Sequence, residues 1–205
     1  MRSRNQLNLP GQSVKESHAH RGKILESDLE RTHGFYKKRG LADVSKIPDR
    51  WESISRYELE AKIKEGLHGS KYAWTGQGYG LTRKAADVDY VGIVKGGRLV
   101  KFDAKETAQK SFPLANVEKH QVDTLYSASR VGAIAGLLIS FYKEGRYFFV
   151  TAEYLSDVFY KAKHSASSKK SISIAVLEAN EGVTSFEVRE ENNLINWYDA
   201  LKNKF

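Results

Sequence analysis

Apolar and polar positions alternate with period two in the middle of the chain and recur at helical spacing on either side of it. Across residues 87–94 the side chains alternate faces as in a strand, so Asp87, Asp89, Val91 and Ile93 share a face. Across residues 98–105, Leu99, Lys101, Asp103 and Lys105 share a face, and Val100, Phe102 and Ala104 form the other. Lys95-Gly96-Gly97 between them is a glycine-rich turn that predicts a hairpin. Residues 133–142 and 146–150 predict a second strand pair, turning at Glu144-Gly145. Leu25, Leu29, Thr32 and Tyr36 predict a helix over residues 21–39, ended by two lysines, an arginine and Gly40. Asn116 is placed as the N-cap of a helix reaching Arg130, with Val117, Leu125 and Ala128 on its inward stripe. Shorter helices are expected over residues 57–65, 151–163 and 193–204, and extended pieces over 172–177 and 185–188. Residues 41–50 read as a lead into the sheet through Ile47-Pro48-Asp49. The order αββαββα, with its hairpins, predicts an α/β fold whose central sheet is mixed and flanked by helices.

Composition narrows this picture. The 205 residues suit one domain with room for an appendage, and 40% hydrophobic residues supply its core. There is no cysteine, which excludes disulfides and thiolate metal sites and suits a reducing cytosol. The longest apolar stretch, residues 131–141, is short and broken by Gly132, Gly136 and Ser140, so no membrane span is expected. Met1-Arg2-Ser3-Arg4-Asn5 is basic with no apolar run behind it, unlike a secretory signal, and a cytoplasmic location follows as an expectation. The net charge of +8 is uneven. Residues 1–84 hold 17 Lys/Arg against 10 Asp/Glu, whereas residues 170–205 hold 4 against 6. A polyanion such as nucleic acid is the natural partner of the basic part. Residues 1–20 read as a flexible basic arm and residues 21–205 as the folded domain. Within that domain, residues 50–84 interleave Trp51, Tyr57, Tyr72, Trp74 and Tyr79 with cations, a pattern that stacks on bases and holds phosphates. The three glycines of residues 74–80 match neither a dinucleotide nor a P-loop spacing and read as a loop.

The hairpin carries the candidate chemistry. With all three turn residues in the loop, Val94 pairs with Arg98. That register sets Asp89 opposite Asp103 and Asp87 opposite Lys105. Like charges facing each other across a sheet are destabilising, and a divalent cation would reverse the penalty, since Mg²⁺ prefers oxygen ligands. Two readings stand: a solvated face with an ion pair, or a metal site. Gln121 falls on the inward stripe of its helix, where a buried amide needs a partner. That partner is either a backbone group or the acidic cluster, directly or through water. His18, His20 and His33 could ligate a metal but lie in or near the polar arm, and His120 reads as a helix-surface residue. No Ser/His/Asp arrangement stands out.

Several runs resemble the RecU family of Holliday-junction resolvases: Asp89-Tyr90-x-Gly92-Ile93-x-Lys95-Gly96, Phe102-Asp103-Ala104-Lys105-Glu106-Thr107, Ser111-Phe112-Pro113-Leu114-x-Asn116 and His120-Gln121. A looser likeness extends to Arg21-Gly22, to Leu25-Glu26-x-Asp28-Leu29 and to Lys170-Ser171-Ile172, covering roughly residues 20–200. The resemblance implies a restriction-endonuclease-like fold, a homodimer and branched DNA as partner. It implies Mg²⁺-dependent symmetric nicking of four-way junctions in recombination and repair, with Mn²⁺ as a substitute ion and no small-molecule cofactor. It places Asp89, Asp103 and Gln121 at the metal, with Asp87 where the family more often has Thr. It puts Lys105 at the transition-state-stabilising position, Glu26 as a supporting acid, and residues 50–84 as a stalk-like insertion in a nuclease domain. Four departures stand out. Asp103 replaces the family's usual Glu, Asp87 stands where a hydroxyl is more usual, the hairpin is one glycine longer, and the stalk segment is longer and richer in Gly. Two alternatives remain beside this reading: a related nuclease acting on other branched or duplex DNA, and a catalytically inactive DNA-binding module of the same fold.

Overall fold

The computed structural model describes residues 18–64, 72–74, 80–84, 86–165 and 167–204. In chain order the elements are α1 (His18–Lys38), β1 (Ala42–Lys46), β2 (Arg50–Ile54), α2 (Arg56–Lys64), β3 (Tyr72–Trp74) and β4 (Gly80–Lys84). There follow β5 (Tyr90–Val94), β6 (Leu99–Thr107), β7 (Ser111–Pro113), α3 (Lys119–Arg130), β8 (Ile134–Phe141) and β9 (Arg146–Thr151). The chain ends with α4 (Ala152–His164), β10 (Ser171–Ser173), α5 (Ile174–Ala179), β11 (Ser185–Val188), β12 (Glu190–Glu191), β13 (Leu194–Ile195) and α6 (Trp197–Leu201).

The apolar run of β8 explains its place. Every residue of it is buried, as in a strand covered on both faces. It lies inside a six-stranded sheet of order β1-β5-β6-β8-β9-β11, in which β6 and β8 run parallel and the other neighbours antiparallel. Helices α3 and α4 cover one face, packing Val122, Leu125, Leu155 and Phe159 in one cluster with Leu137, Ile139 and Val150. Helices α1 and α6 cover the other, where Leu29, Tyr36 and Trp197 cluster with Tyr90, Phe102 and Leu138. A Cβ at Gly136 would lie 2.2 Å from the Val150 carbonyl and 2.6 Å from the Phe149 ring, so only glycine permits this approach of β8 to β9. The mixed α/β architecture is the one the sequence predicts.

The hairpin forms in the expected register. Val94 donates to the Arg98 carbonyl at 3.0 Å, and Tyr90 pairs with Phe102. Gly96 and Gly97 have φ of +98° and +84°, values that side-chain-bearing residues rarely adopt. The strand, however, starts at Tyr90 rather than at residue 87, so Asp87 is not paired across from Lys105. Residues 87–89 bend instead. They leave the sheet toward residue 86, whose amide donates to the Asp49 carboxylate, while the Asp89 carbonyl accepts from Ile47.

Other expectations shift for local reasons. Residues 42–46 form the edge strand β1 rather than a lead-in, because their alternation buries Ala42 and Val44 under α1. Asn116 ends a short 3-10 turn, Leu114–Asn116, and the N-cap of α3 is Glu118. Residues 50–84 hold α2 and a separate antiparallel sheet of order β2-β4-β3. The extended piece expected over 172–177 is strand only to Ser173 and then becomes α5, capped by the Ser173 hydroxyl. The final helix is shortened to α6, since β12 and β13 pair around Asn192 and Asn193, both at positive φ. Residues 18–20 already belong to α1; the rest of the arm and the loop over 75–79 lie outside the described residues.

Candidate active site

The site forms where β5 ends and β6 does not. β5 pairs with β6 only as far as Phe102, whereas β8 accompanies β6 to Thr107. On the edge so released, the Asp89 carboxylate accepts the Ala104 backbone N–H at 3.0 Å. A side chain thus takes the hydrogen bond that the next β5 residue would otherwise supply. This fastens Asp89 near Asp103, where its charge acts on the buried carboxyl group.

Asp103 is fully buried on the α3 side of the sheet. Gln121 in the first turn of α3 donates Nε2 to Asp103 Oδ1 at 3.2 Å, and its Oε1 accepts the Glu118 backbone N–H at 3.1 Å. Gln121 therefore meets both partners open to it in the sequence, the backbone and the acidic cluster. Lys105, two residues along the same face, brings Nζ to 2.6 Å from Asp103 Oδ2. That contact is an ion pair without hydrogen-bond alignment, and Oδ2 has no hydrogen-bond partner.

Burial is the main force raising the Asp103 pKa toward neutrality. Lys105 opposes it, and the neighbouring Asp89 charge adds to it. For Lys105 burial is the largest single influence and acts downward, yet the carboxylates of Asp103 and Asp89 together hold the ammonium above its ordinary range. Both features describe surplus negative charge pressed into a dry pocket.

Asp89 and Lys105 open on a cleft of about 830 Å³, into which Glu26 of α1 and Glu106 of β6 also project. Glu26 pairs with Lys46 of β1 at 2.5 Å. Asp87 is exposed in the bend and does not line the cleft. Among the described residues no three His, Cys, Asp or Glu side chains form a metal-sized cluster. The structure thus brings together Asp89, Asp103, Lys105 and Gln121, sets Glu26 at the rim, and leaves Asp87 apart. His33 is a core residue enclosed by the rings of Tyr90, Phe102 and Trp197, and burial lowers its pKa to about 4. His120 is an exposed helix residue paired with Glu118 at 3.2 Å. Asn116 and Tyr142 also line the cleft. Sequence patterns give Tyr142 no role and Asn116 that of a helix cap, because only the crossover from β6 through α3 to β8 brings them to the cleft.

The residues present fit a divalent cation. A buried carboxylate whose Oδ2 is met by the Lys105 ammonium, a second carboxylate near it and an adjoining open cleft supply the hard oxygens such ions take.

Comparison with known proteins places the chain in a family. A family model described as RecU, recombination protein U, matches residues 20–203. The chain belongs to the RecU family. RecU relatives named Holliday junction resolvase RecU occur in Pediococcus pentosaceus, 29% identical over 81% of this chain and 76% of that protein, and in Geobacillus thermodenitrificans, 29% over 82% and 77%. The Staphylococcus saprophyticus protein of that name is 28% identical over 93% of this chain and 86% of its own. The span matched to RecU contains every site residue described above.

Proposed function

We propose that this chain is a divalent-metal-dependent endodeoxyribonuclease that resolves four-way DNA junctions by paired symmetric nicks during recombination and repair. The observation that carries the reading is the buried Asp103 carboxylate, ion-paired to Lys105 and set behind an open cleft that Asp89 and Lys105 line. The names of the RecU relatives support the junction as substrate.

Asp89 and Asp103 would hold Mg²⁺, with Mn²⁺ as a substitute, and Gln121 fixes the orientation of Asp103. The ion, when bound, would polarise the scissile phosphate and acidify a bound water. The neighbouring carboxylates raise the Lys105 pKa, and an ammonium there suits the negative charge developing at phosphorus. Its ion pair with Asp103 keeps the ammonium pointed at the carboxylate end of the cleft. Glu26 supports the rim from α1, and Asp87 adds negative charge two residues before Asp89 without entering the cleft. Replacing the family's Glu by Asp103 shortens the side chain by one methylene. The Gln121 amide reaches that shorter carboxylate directly. A homodimer would present two such sites to the two strands of a two-fold junction. Residues 50–84, with their own small sheet, would form the stalk-like insertion that meets DNA. No described helix is long and apolar enough to cross a membrane, and the reading places the enzyme with DNA in the cytoplasm.

Four-way junction, linear duplex and single-stranded substrates compared with and without Mg²⁺ test the proposal. Paired nicks confined to the junction and to Mg²⁺ are expected. Equal cutting of duplex would make it a nuclease of another specificity. Binding without cleavage in any divalent metal would make it an inactive binding module.

A further inference from the structure

A second concavity of about 600 Å³ lies on the α3–α4 face. Its floor is apolar: Leu114, Val117, Phe159 and Ala162, all members of the core cluster on that face. Its charged lining is Lys119, Lys163, Lys170 and Glu118, three cations to one carboxylate. Glu118 is occupied at the start of α3, in a capping box with Gln121 and an ion pair with His120. Lys119 also pairs with Asp123 at 2.5 Å. Lys163 lies 4.5 Å over the Phe159 ring, and Lys170 is turned onto the carbonyls of Ala162 and Ser165 at the end of α4. Two of the three ammonium groups are thus held at the groove by its own walls: Lys170 on carbonyls at the negative end of α4, and Lys163 over Phe159 within electrostatic reach of Asp123.

The groove and the catalytic cleft share one partition. Pro113 and Asn116 face the cleft, while Leu114, Ala115 and Val117 face the groove. The partition is the 3-10 turn Leu114–Asn116, whose three residues rise about 6 Å at 2 Å per residue. One short turn of chain thus separates cleft and groove, so neighbouring nucleotides of a single strand could reach both. We infer that this groove receives a nucleotide of the cleaved DNA strand one or two positions from the scissile phosphate, its base unstacked onto the apolar floor and its phosphate on the lysine rim. The inference rests on the nuclease reading above and extends it to how the strand is held. Charge complementarity and continuity with the cleft select this occupant: an apolar groove alone would suit many ligands, but one rimmed by cations and abutting a phosphodiester-cleaving cleft suits a strand carrying both bases and phosphates. Because every base has an apolar face, the contact would be tolerant of sequence.

The test uses the full-length protein, a four-way junction carrying 2-aminopurine one or two nucleotides from the cut, and Ca²⁺ in place of Mg²⁺. Ala115 is exposed on the partition, so Ala115→Trp fills the groove from its solvent side, and Lys163→Glu reverses one rim charge. Wild type should show a several-fold fluorescence change on binding. Both variants should lose that change and weaken the junction Kd about five- to twentyfold, with unaltered thermal unfolding. A response that persists in both folded variants overturns the assignment, as does one seen equally at distant positions. A change of oligomeric state in the variants, read by sedimentation, would instead mark the groove as a contact between copies and overturn it too. If the wild type neither binds nor nicks junctions, the nuclease reading falls and takes the groove with it. If it does both while the variants match it, only the groove assignment falls.

Discussion

At the scale of the residue, Asp103 and His33 set opposite pH trends. The unfolded chain releases the Asp103 proton near pH 3.8, whereas the native chain retains it up to about pH 7. Between these values the native state binds more protons, so this residue lowers stability as pH rises through the window. His33 does the reverse. Its folded pKa, about 4, lies below the ordinary 6.5, so its stabilisation is complete above pH 6.5 and is lost as pH falls toward 4. In a chelator-containing buffer the two slopes partly cancel, and single variants separate them. Asp103→Asn should make stability rise more steeply between pH 4 and 7, and His33→Phe should make it fall, as read by thermal denaturation at half-unit intervals. Unchanged slopes would mean that neither group is buried as described. Mg²⁺ should raise the wild-type Tm by a few degrees, about 1–2 kcal/mol, and leave Asp103→Asn unmoved. Alternation grouped Asp87, Asp89, Asp103 and Lys105 on one face; Asp103 and Lys105 do share a strand face, whereas Asp89 reaches Ala104 from the bend before β5 and Asp87 stays apart. The place of His33 was not legible. The helical stripe of Leu25, Leu29, Thr32 and Tyr36 admits position 33 beside it, and only the packing of α6 against α1 shows that Trp197 closes over it.

At the scale of the element, the first turn of α3 joins helix formation to the site. One Gln121 amide completes the capping box and holds Asp103. Gln121→Ala removes both contacts. It should cost about 1 kcal/mol as a cap and reduce nicking about 10- to 100-fold as a lost supporting contact, with junction affinity retained. Gln121→Glu keeps the box yet turns a carboxylate toward Asp103, so it should unfold no earlier than Gln121→Ala and still nick poorly. Normal nicking by either variant would remove Gln121 from the site. The inward position of Gln121 was readable from helical spacing. The cap two residues later than Asn116 was not, since the 3-10 turn that consumes Asn116 is dictated by β7 pairing with the distant β10. The glycine turn fixed the hairpin register, as Gly96 and Gly97 both need positive φ. The early end of β5 depends instead on Asp49 and Ile47 capturing residues 86 and 89, contacts that no local pattern announces.

At the scale of the molecule, two apolar layers enclose one sheet, and its single parallel pair, β6 with β8, carries α3 across to the acidic face. That topology lets residues 89, 103, 105 and 121 converge; the order of helices and hairpins foretold a mixed sheet but not which strands run parallel. The small sheet β2-β4-β3 was hidden, because its strands are only three to five residues long and carry no sustained apolar alternation. The most direct measurement of the central claim follows Lys105→Ala on a labelled four-way junction, scoring binding in Ca²⁺ and nicking in Mg²⁺ on the same preparation. The account predicts a junction Kd within about threefold of wild type and nicking lowered at least about a hundredfold, roughly 2.7 kcal/mol of transition-state stabilisation. Nicking at the wild-type rate by this variant would contradict it.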